Sequence, residues 1–226
     1  WHPVKEELEN KILLPMLGGP YGEVLEAGHL CVRYERGAFR LQVYDKTLPL
    51  DPKTWTDLLA HRREALRLSL PPESAELREL ESVVTALEHL PDRSDTRPEQ
   101  VAERQREKEV IKDRLARLSA ASAEVTAFLE RNLREFNGTP GEPHSFDRLD
   151  RLLDAQVYRL SDWRTAADEI NYRRFFDINE LAAVCMETEG VFEASHRLVF
   201  ELLVRGDLNG LRIDHVDGLY NPAEYL

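Results

Sequence analysis

The sequence predicts an α+β chain, predominantly helical, that ends in part of a (β/α) barrel. Residues 29 to 50 alternate apolar and polar side chains around Gly37, the pattern of a β-hairpin. Residues 52 to 140 place apolar residues at helical spacing. Residues 190 to 205 predict an amphipathic helix that Gly206 ends, and a short apolar run and an acidic loop follow. Helix, glycine, strand and acidic loop in this order form one repeat of such a barrel.

The helical tract divides at proline-rich and polar segments. The predicted helices cover residues 53 to 67, 73 to 90 and 98 to 135. The apolar positions of the third, among them Ile111, Leu115 and Leu118, repeat every three or four residues, so we expect a long helix, roughly 55 Å in length if it is continuous. Asn137-Gly138 is expected to stop it. At the other end of the chain, residues 4 to 17 predict a short helix or turn that leads into an apolar run.

The composition narrows the class of partner. Among 226 residues, 42 are acidic and 30 are Lys or Arg, which gives a net charge of −12. That balance argues against a nucleic-acid binder, which needs a basic surface, but it suits a neutral ligand such as a sugar. No apolar run reaches the length of a membrane span and no leader pattern is present, so we expect no membrane contact and a cytoplasmic location. No cofactor motif is found, and the oligomeric state is not indicated.

The segment Gly210–Leu219 carries the best candidate for catalysis. Leu211 and Ile213 form a short apolar run, which predicts a buried strand that ends in an acidic loop. Arg212 and Asp214 alternate with them and therefore share one face. Asp214 could attack an anomeric carbon as the nucleophile of a retaining glycosyl transfer, with Arg212 lowering its pKa and orienting it. A structural ion pair at a strand end is the alternative.

Two residues after Asp214 have several possible roles. His215 and Asp217 could hydrogen-bond sugar hydroxyls, and together with Asp214 they are also possible metal ligands. No His-x-x-x-His or Cys-x-x-Cys pattern accompanies them, so no metal site is predicted. No nucleophile elbow is present for a serine hydrolase, and His196 is interpreted as a packing histidine and not a base.

A second segment concentrates aromatic and guanidinium groups. Tyr172, Arg173 and Arg174 precede Phe175 and Phe176. Aromatic faces stack on sugar rings, and guanidinium groups bind hydroxyls and carboxylates, so the three polar residues are predicted to bind substrate. The alternative places the two phenylalanines in the core and pairs the arginines with acids.

Four segments resemble one known family. Residues 210–219 resemble the second conserved region of the α-amylase superfamily, in the form found in maltooligosyl trehalose synthases. Residues 169–182 resemble the same family, as do 153–164 and the apolar run 11–15 with Pro20-Tyr21-Gly22. The segments follow one another in the expected order, whereas residues 70 to 140 match only in being a helical insertion.

The resemblance implies a (β/α)8 barrel enzyme that rearranges the reducing-end α-1,4 bond of a maltooligosaccharide into an α,α-1,1 bond. It implies that Asp214 is the nucleophile and Arg212 its partner. Amylases have a Lys-His pair where this chain has Asp217-Gly218, which favours the synthase. By the same resemblance, the acid glutamate and the third carboxylate lie outside these 226 residues. We therefore expect the chain alone to be inactive.

The resemblance also implies three domains and leaves other functions open. Residues 1–51 are expected to form a hairpin-containing segment inserted in the barrel, 52–140 a helical insertion, and 141–226 the barrel segment with the nucleophile. If the neighbouring barrel strands are missing, the strand around Ile213 is expected to fray or to pair differently. The alternatives are an amylase-like hydrolase or glucanotransferase, and a non-catalytic interaction module built on the helices.

Overall fold

The computed structural model describes residues 8–226, so the part of the predicted helix or turn before Leu8 lies outside the described residues. Contacts divide the chain into two units, one that ends at Trp163 and another that contains Arg164–Leu226. Each unit is described by itself. Both combine helices with short strands, and the predicted α+β class with mostly helical content is confirmed. The three predicted domains stay a prediction.

The first unit contains the hairpin and most of the helices. Its strands are β1 (Ile12–Leu17), β2 (Leu30–Glu35), β3 (Ala38–Val43), β4 (Lys46–Pro49) and β5 (Tyr158–Asp162). Its α-helices are α1 (Tyr21–Glu26), α2 (Trp55–Ala60), α3 (Arg63–Ser69), α4 (Ala75–Glu88), α5 (Pro98–Ala121), α6 (Ala123–Phe136) and α7 (Asp147–Asp154). The side chains that face inward from these elements form one core, with fully buried members such as Leu30, Leu41, Leu58, Leu80 and Leu87.

The predicted hairpin is confirmed, and it has a third strand. β2 and β3 pair antiparallel, with Glu35 opposite Ala38. The two turn residues Arg36 and Gly37 have φ values of 49° and 79°, and a two-residue turn with both φ values positive matches the twist of the flanking strands. β4 then pairs antiparallel with β3, and Leu41 lies opposite Leu48. β4 was not predicted from the sequence, because its four residues include only one large apolar side chain.

The outer side of β2 is occupied by a side chain from the end of α6. The backbone N–H of Val32 donates to Oδ1 of Asn137 over 2.6 Å, and Nδ2 of Asn137 donates to the Val32 carbonyl over 3.0 Å. The predicted helix stop is confirmed here, since α6 ends at Phe136 and Gly138 has a φ of 66°. A planar side-chain amide carries an N–H donor beside a C=O acceptor, so Asn137 pairs with β2 as a strand residue would.

The long helix predicted over 98 to 135 is not continuous. It is broken at Ser122, which has extended backbone angles (φ −131°, ψ 118°) and separates α5 from α6. The Ser122 hydroxyl accepts a hydrogen bond from the backbone N–H of Val125 over 3.3 Å, which caps the start of α6. With its 24 residues, α5 alone is roughly 36 Å long.

The predicted helix over 53 to 67 is also interrupted. α2 ends at Ala60, and Arg62 has a left-handed φ of 52° before α3 begins. The amide of Asn132 donates to the carbonyls of Leu58 and His61, both over 2.8 Å, and so binds carbonyls that a continuing helix would have used. The helix predicted over 73 to 90 is confirmed as α4.

The first and last strands of the first unit, β1 and β5, pair in parallel. β1 pairs with β5, with Ile12 opposite Tyr158 and Leu14 opposite Leu160. In β1, Leu13 and Leu17 are buried. Parallel strands need a crossover connection, and here the whole hairpin and α2 to α7 lie between the two strands in sequence.

The second unit consists of a hairpin, one long helix and irregular segments. Its elements are α8 (Ala166–Glu169), β6 (Arg174–Phe175), β7 (Ile178–Ala182), α9 (Glu189–Val204) and α10 (Pro222–Tyr225). β6 and β7 pair antiparallel, with Phe175 opposite Ile178. The amphipathic helix predicted over 190 to 205 is confirmed as α9. None of the helices in residues 8–226 is both long and apolar enough to cross a membrane.

The buried strand predicted around Ile213 is not formed. Residues 210–215 have no regular secondary structure, and Leu211 and Ile213 are 47% and 39% exposed. A strand needs a neighbour for its backbone hydrogen bonds, and no strand in the described part of the chain pairs with this segment. The outcome agrees with the expectation that the segment frays without barrel neighbours, and the (β/α)8 barrel itself stays a prediction.

Candidate functional site

The predicted pair at the candidate nucleophile is present. Nε of Arg212 donates to Oδ1 of Asp214 over 3.0 Å, although the strand that was expected to align them is not formed. Their side chains are 88% and 60% exposed. An exposed ion pair contributes only about 0–1 kcal/mol to stability, so this pair does little to hold the fold together. What it does provide is an accessible carboxylate with a guanidinium on one oxygen.

The segment with Phe175 and Phe176 contacts the segment with His215 through their aromatic rings. His215 has a left-handed φ of 63°, and its ring centroid lies 4.9 Å from Phe176 and 5.8 Å from Phe175 in edge-to-face geometry. The two phenylalanine rings are 4.5 Å apart. They are 42% and 57% exposed, so the alternative that placed them in the core is wrong. Aromatic surface therefore lies directly beside the residue that follows Asp214.

Tyr172 and Arg174 hold the β6–β7 hairpin together. The Tyr172 hydroxyl donates to the backbone carbonyl of Asn179, and burial raises the pKa of this phenol. Nη1 of Arg174 donates to Oδ1 of Asn179 over 2.8 Å, and its Nη2 lies 2.7 Å from Oδ1 of Asp177. The guanidinium is thus paired within the hairpin, as the second interpretation of this segment expected. Substrate binding by Tyr172 and Arg174 stays a prediction.

Arg173 binds an acid that the sequence analysis missed. It forms two hydrogen bonds to Glu187, one of them from Nη1 to Oε2 over 2.7 Å. The bond from Arg173 holds the pKa of the Glu187 carboxyl below its ordinary value, and the same bond raises the pKa of the guanidinium. Glu187 follows the hairpin closely in sequence, which could have suggested it as a partner of Arg173. Sequence spacing alone, however, does not distinguish Glu187 from the other acids nearby. Substrate binding by Arg173 likewise stays a prediction.

This pair makes a testable prediction about acid titration. Because the folded pKa of Glu187 is lowered from 4.5, the stabilisation from the pair is fully present above that value and is lost as pH falls through the folded pKa. An NMR titration of the Glu187 carboxyl should give a midpoint below 4.5. Arg173→Gln should raise the midpoint. An unchanged midpoint in that variant would show that Arg173 does not set the pKa.

Asp217 lies in a turn directly after the aromatic contact. Val216–Gly218 forms one turn of 3-10 helix, in which the backbone N–H of Gly218 donates to the His215 carbonyl over 3.2 Å. The Asp217 side chain is exposed. Binding of sugar hydroxyls by His215 and Asp217 stays a prediction. In residues 8–226, no three His, Cys, Asp or Glu side chains are arranged to hold a metal ion.

His196 is a packing histidine, as predicted. Its ring stacks on Phe192 at 4.3 Å between centroids, and its Nδ1 lies 2.9 Å from the Phe192 carbonyl. Its Nε2 lies 2.7 Å from the Tyr225 hydroxyl. Both ring nitrogens of His196 therefore lie within hydrogen-bond distance of other groups of the fold.

Comparison with known proteins agrees with the motifs. No protein-family model matches the chain. Over 73 residues, or 32% of its length, the chain is 45% identical to curated proteins named maltooligosyl trehalose synthase from two strains of Mycobacterium tuberculosis, and the match spans 9% of each relative. A solved glycosyltrehalose synthase aligns with 96% of this chain and 18% of its own, at 23% identity and a TM-score of 0.44. Those last two values are too low to establish a shared fold.

The 45% identity confirms the resemblance that the motifs indicated. Residues 169–182 and 210–219 carry that resemblance most specifically, and the described structure brings them into contact through His215 and the two phenylalanines. By sequence, this chain is similar to proteins named maltooligosyl trehalose synthase over 73 residues, which is 32% of its length.

Proposed function

We propose that this chain is part of the catalytic (β/α)8 barrel of an enzyme that converts the reducing-end α-1,4 bond of a maltooligosaccharide into an α,α-1,1 bond. The observation that carries the proposal is the Arg212–Asp214 pair, with 3.0 Å between Nε and Oδ1. The guanidinium binds one carboxylate oxygen and leaves the other oxygen for attack. The 45% identity to named synthases supports the same reaction.

The proposed mechanism proceeds with retention in two steps. Asp214 attacks the anomeric carbon of the penultimate glucose, and the bond from that carbon to O4 of the terminal glucose breaks. A carboxylic acid protonates the departing O4. The released glucose stays bound and turns, and its C1 hydroxyl attacks the glycosyl-enzyme while giving its proton to the carboxylate left by the first step, which frees Asp214 and forms the α,α-1,1 bond. The enzyme must exclude water, because water at this stage would give hydrolysis.

The neighbouring residues suit the turning of a sugar ring. The exposed rings of Phe175 and Phe176 offer apolar faces on which a pyranose can stack. His215 lies against both rings, and Asp217 is two residues further along the loop. These groups would let the released glucose change orientation without leaving. Tyr172, Arg173 and Arg174 would support this surface by holding the hairpin beneath it.

Product analysis of the full-length protein tests the proposed reaction. Incubation with maltopentaose should give a product of unchanged mass that has lost its reducing end, as followed by mass spectrometry and a reducing-sugar assay. An amylase-like hydrolase would instead increase the number of reducing ends, and a glucanotransferase would give chains of new lengths. Either of those product patterns would contradict the proposal.

A further inference from the structure

A cleft beside the candidate site has no assigned role. It has a volume of about 340 Å³ and lies within the second unit. Its first wall runs from Met186 to Phe192, after the β6–β7 hairpin, and includes the start of α9. Its second wall runs from Leu219 to Tyr225 and begins two residues after Asp217. Both walls therefore continue directly from the two segments that carry the candidate site residues.

The aromatic side chains of the cleft include a fixed pair and a free ring. Phe192 and Tyr225 lie 5.7 Å apart at 86°, and the Tyr225 hydroxyl is held by His196. Tyr220 is 79% exposed, and no ring contact to it occurs among the described residues. An exposed aromatic ring at the mouth of a cleft loses apolar hydration when a flat apolar face stacks on it.

Besides its tyrosines, the cleft has three glutamates and one asparagine as polar side chains. Glu187 is neutralised by Arg173, and Oε2 of Glu224 accepts from the Asn221 amide over 3.0 Å. Glu189 is exposed at the start of α9. No Lys or Arg lines the cleft and three carboxylates do, so the cleft disfavours an anionic ligand. Hydroxyl groups of a neutral ligand, in contrast, can donate to each of these oxygens.

We propose that this cleft binds one glucosyl unit of the maltooligosaccharide, with the ring stacked on Tyr220 and hydroxyls donating to Glu189 and Glu224. The proposal rests on the proposed function, which supplies the sugar. The volume is at the lower end of the range for ligand sites, which suits a single hexose ring. An organic cation would also suit aromatic rings and carboxylates, but the charge of Glu187 is already balanced by Arg173.

The test measures maltopentaose binding by calorimetry to the full-length protein in an Asp214→Asn background, which prevents turnover. Tyr220→Ala should weaken binding about fivefold, because an aromatic stacking contact contributes about 1 kcal/mol. Glu189→Gln should weaken it about fivefold, because a hydrogen bond to a charged acceptor is stronger than one to a neutral acceptor. Glu193→Gln, one turn along α9 and outside the cleft, is the matched control and should bind as the parent does.

Two results would overturn the proposal. Unchanged maltopentaose affinity in both Tyr220→Ala and Glu189→Gln is the first. The second is tetramethylammonium binding that these substitutions abolish while sugar affinity stays the same, because that would make the cleft a cation site. Failure of the proposed function is seen separately, as hydrolase or glucanotransferase products formed from maltopentaose by the full-length protein with Asp214 intact. Thermal melting of each variant confirms that it folds, as expected for residues this exposed.

Discussion

Asp214→Asn in the full-length protein should lower kcat on maltopentaose by at least about a thousandfold, because an amide cannot form the glycosyl-enzyme. The fold should be unaffected, since the Asp214 side chain is 60% exposed and pairs only at the surface with Arg212. Rates of product formation and the thermal unfolding midpoint are the two measurements. The expected result is a lost rate with an unchanged midpoint.

Asp207→Asn is the matched control for this substitution. Asp207 is also exposed and also pairs with an arginine two residues away, since Nε of Arg205 donates to its Oδ2 over 2.8 Å. It has no place in the proposed mechanism, so the Asp207→Asn protein should keep its activity. Near-normal turnover in Asp214→Asn would remove Asp214 from the mechanism and leave its pair with Arg212 as a surface ion pair.

Gly37→Ala should lower the free energy of unfolding of the first unit by about 2–5 kcal/mol. Gly37 lies in the β2–β3 turn and is buried against α5, where an added Cβ would lie 1.9 Å from the Lys112 carbonyl oxygen. That oxygen belongs to the helix backbone, so the turn or the helix must move. The cost combines about 1–2 kcal/mol for a side chain at positive φ with about 1–3 kcal/mol for overpacking.

Gly141→Ala separates these two contributions. Gly141 also has a positive φ, 92°, but no atom lies within 4 Å of an added Cβ. Its substitution should cost only the backbone strain, about 1–2 kcal/mol. Chemical denaturation of both variants gives the comparison, and equal losses of stability would show that the turn does not press on α5.

Local signals in the sequence were sufficient for elements that depend on local interactions. α4 was predicted with nearly correct bounds because its apolar stripe is continuous and Ser74 caps its first turn, accepting from the Leu77 N–H over 3.2 Å. The β2–β3 hairpin was predicted because its turn and both strands lie within one short segment. In these elements the residues that determine the structure are neighbours in sequence.

The break at Ser122 escaped prediction for a physical reason. Leu118 and Val125 are seven residues apart, two helical turns, so the apolar stripe continues in phase across the break. Both residues are buried, and hydrophobic periodicity therefore does not reveal that the backbone between them is extended. Only the capping serine gave a local signal, and serine also occurs inside helices.

The candidate site depended on contacts between distant residues. The Arg212–Asp214 pair was predictable because its members are only two positions apart along the chain. Arg173–Glu187 and His215–Phe176 join segments 14 and 39 residues apart, and their geometry follows from how the second unit packs. The strand around Ile213 was predicted from its own residues, but a strand also needs a partner, and none of the strands in residues 8–226 pairs with it.

The Asn137 amide has a consequence for how this chain meets other chains. β2 is at one edge of its three-stranded sheet, and an unprotected edge offers free N–H and C=O groups to any extended peptide. Asn137 occupies both groups of Val32, in the middle of β2. A foreign strand would have to displace this side chain and separate α6 from the sheet before it could pair. Asn137, the residue directly after α6, thus protects the hairpin against edge-to-edge aggregation.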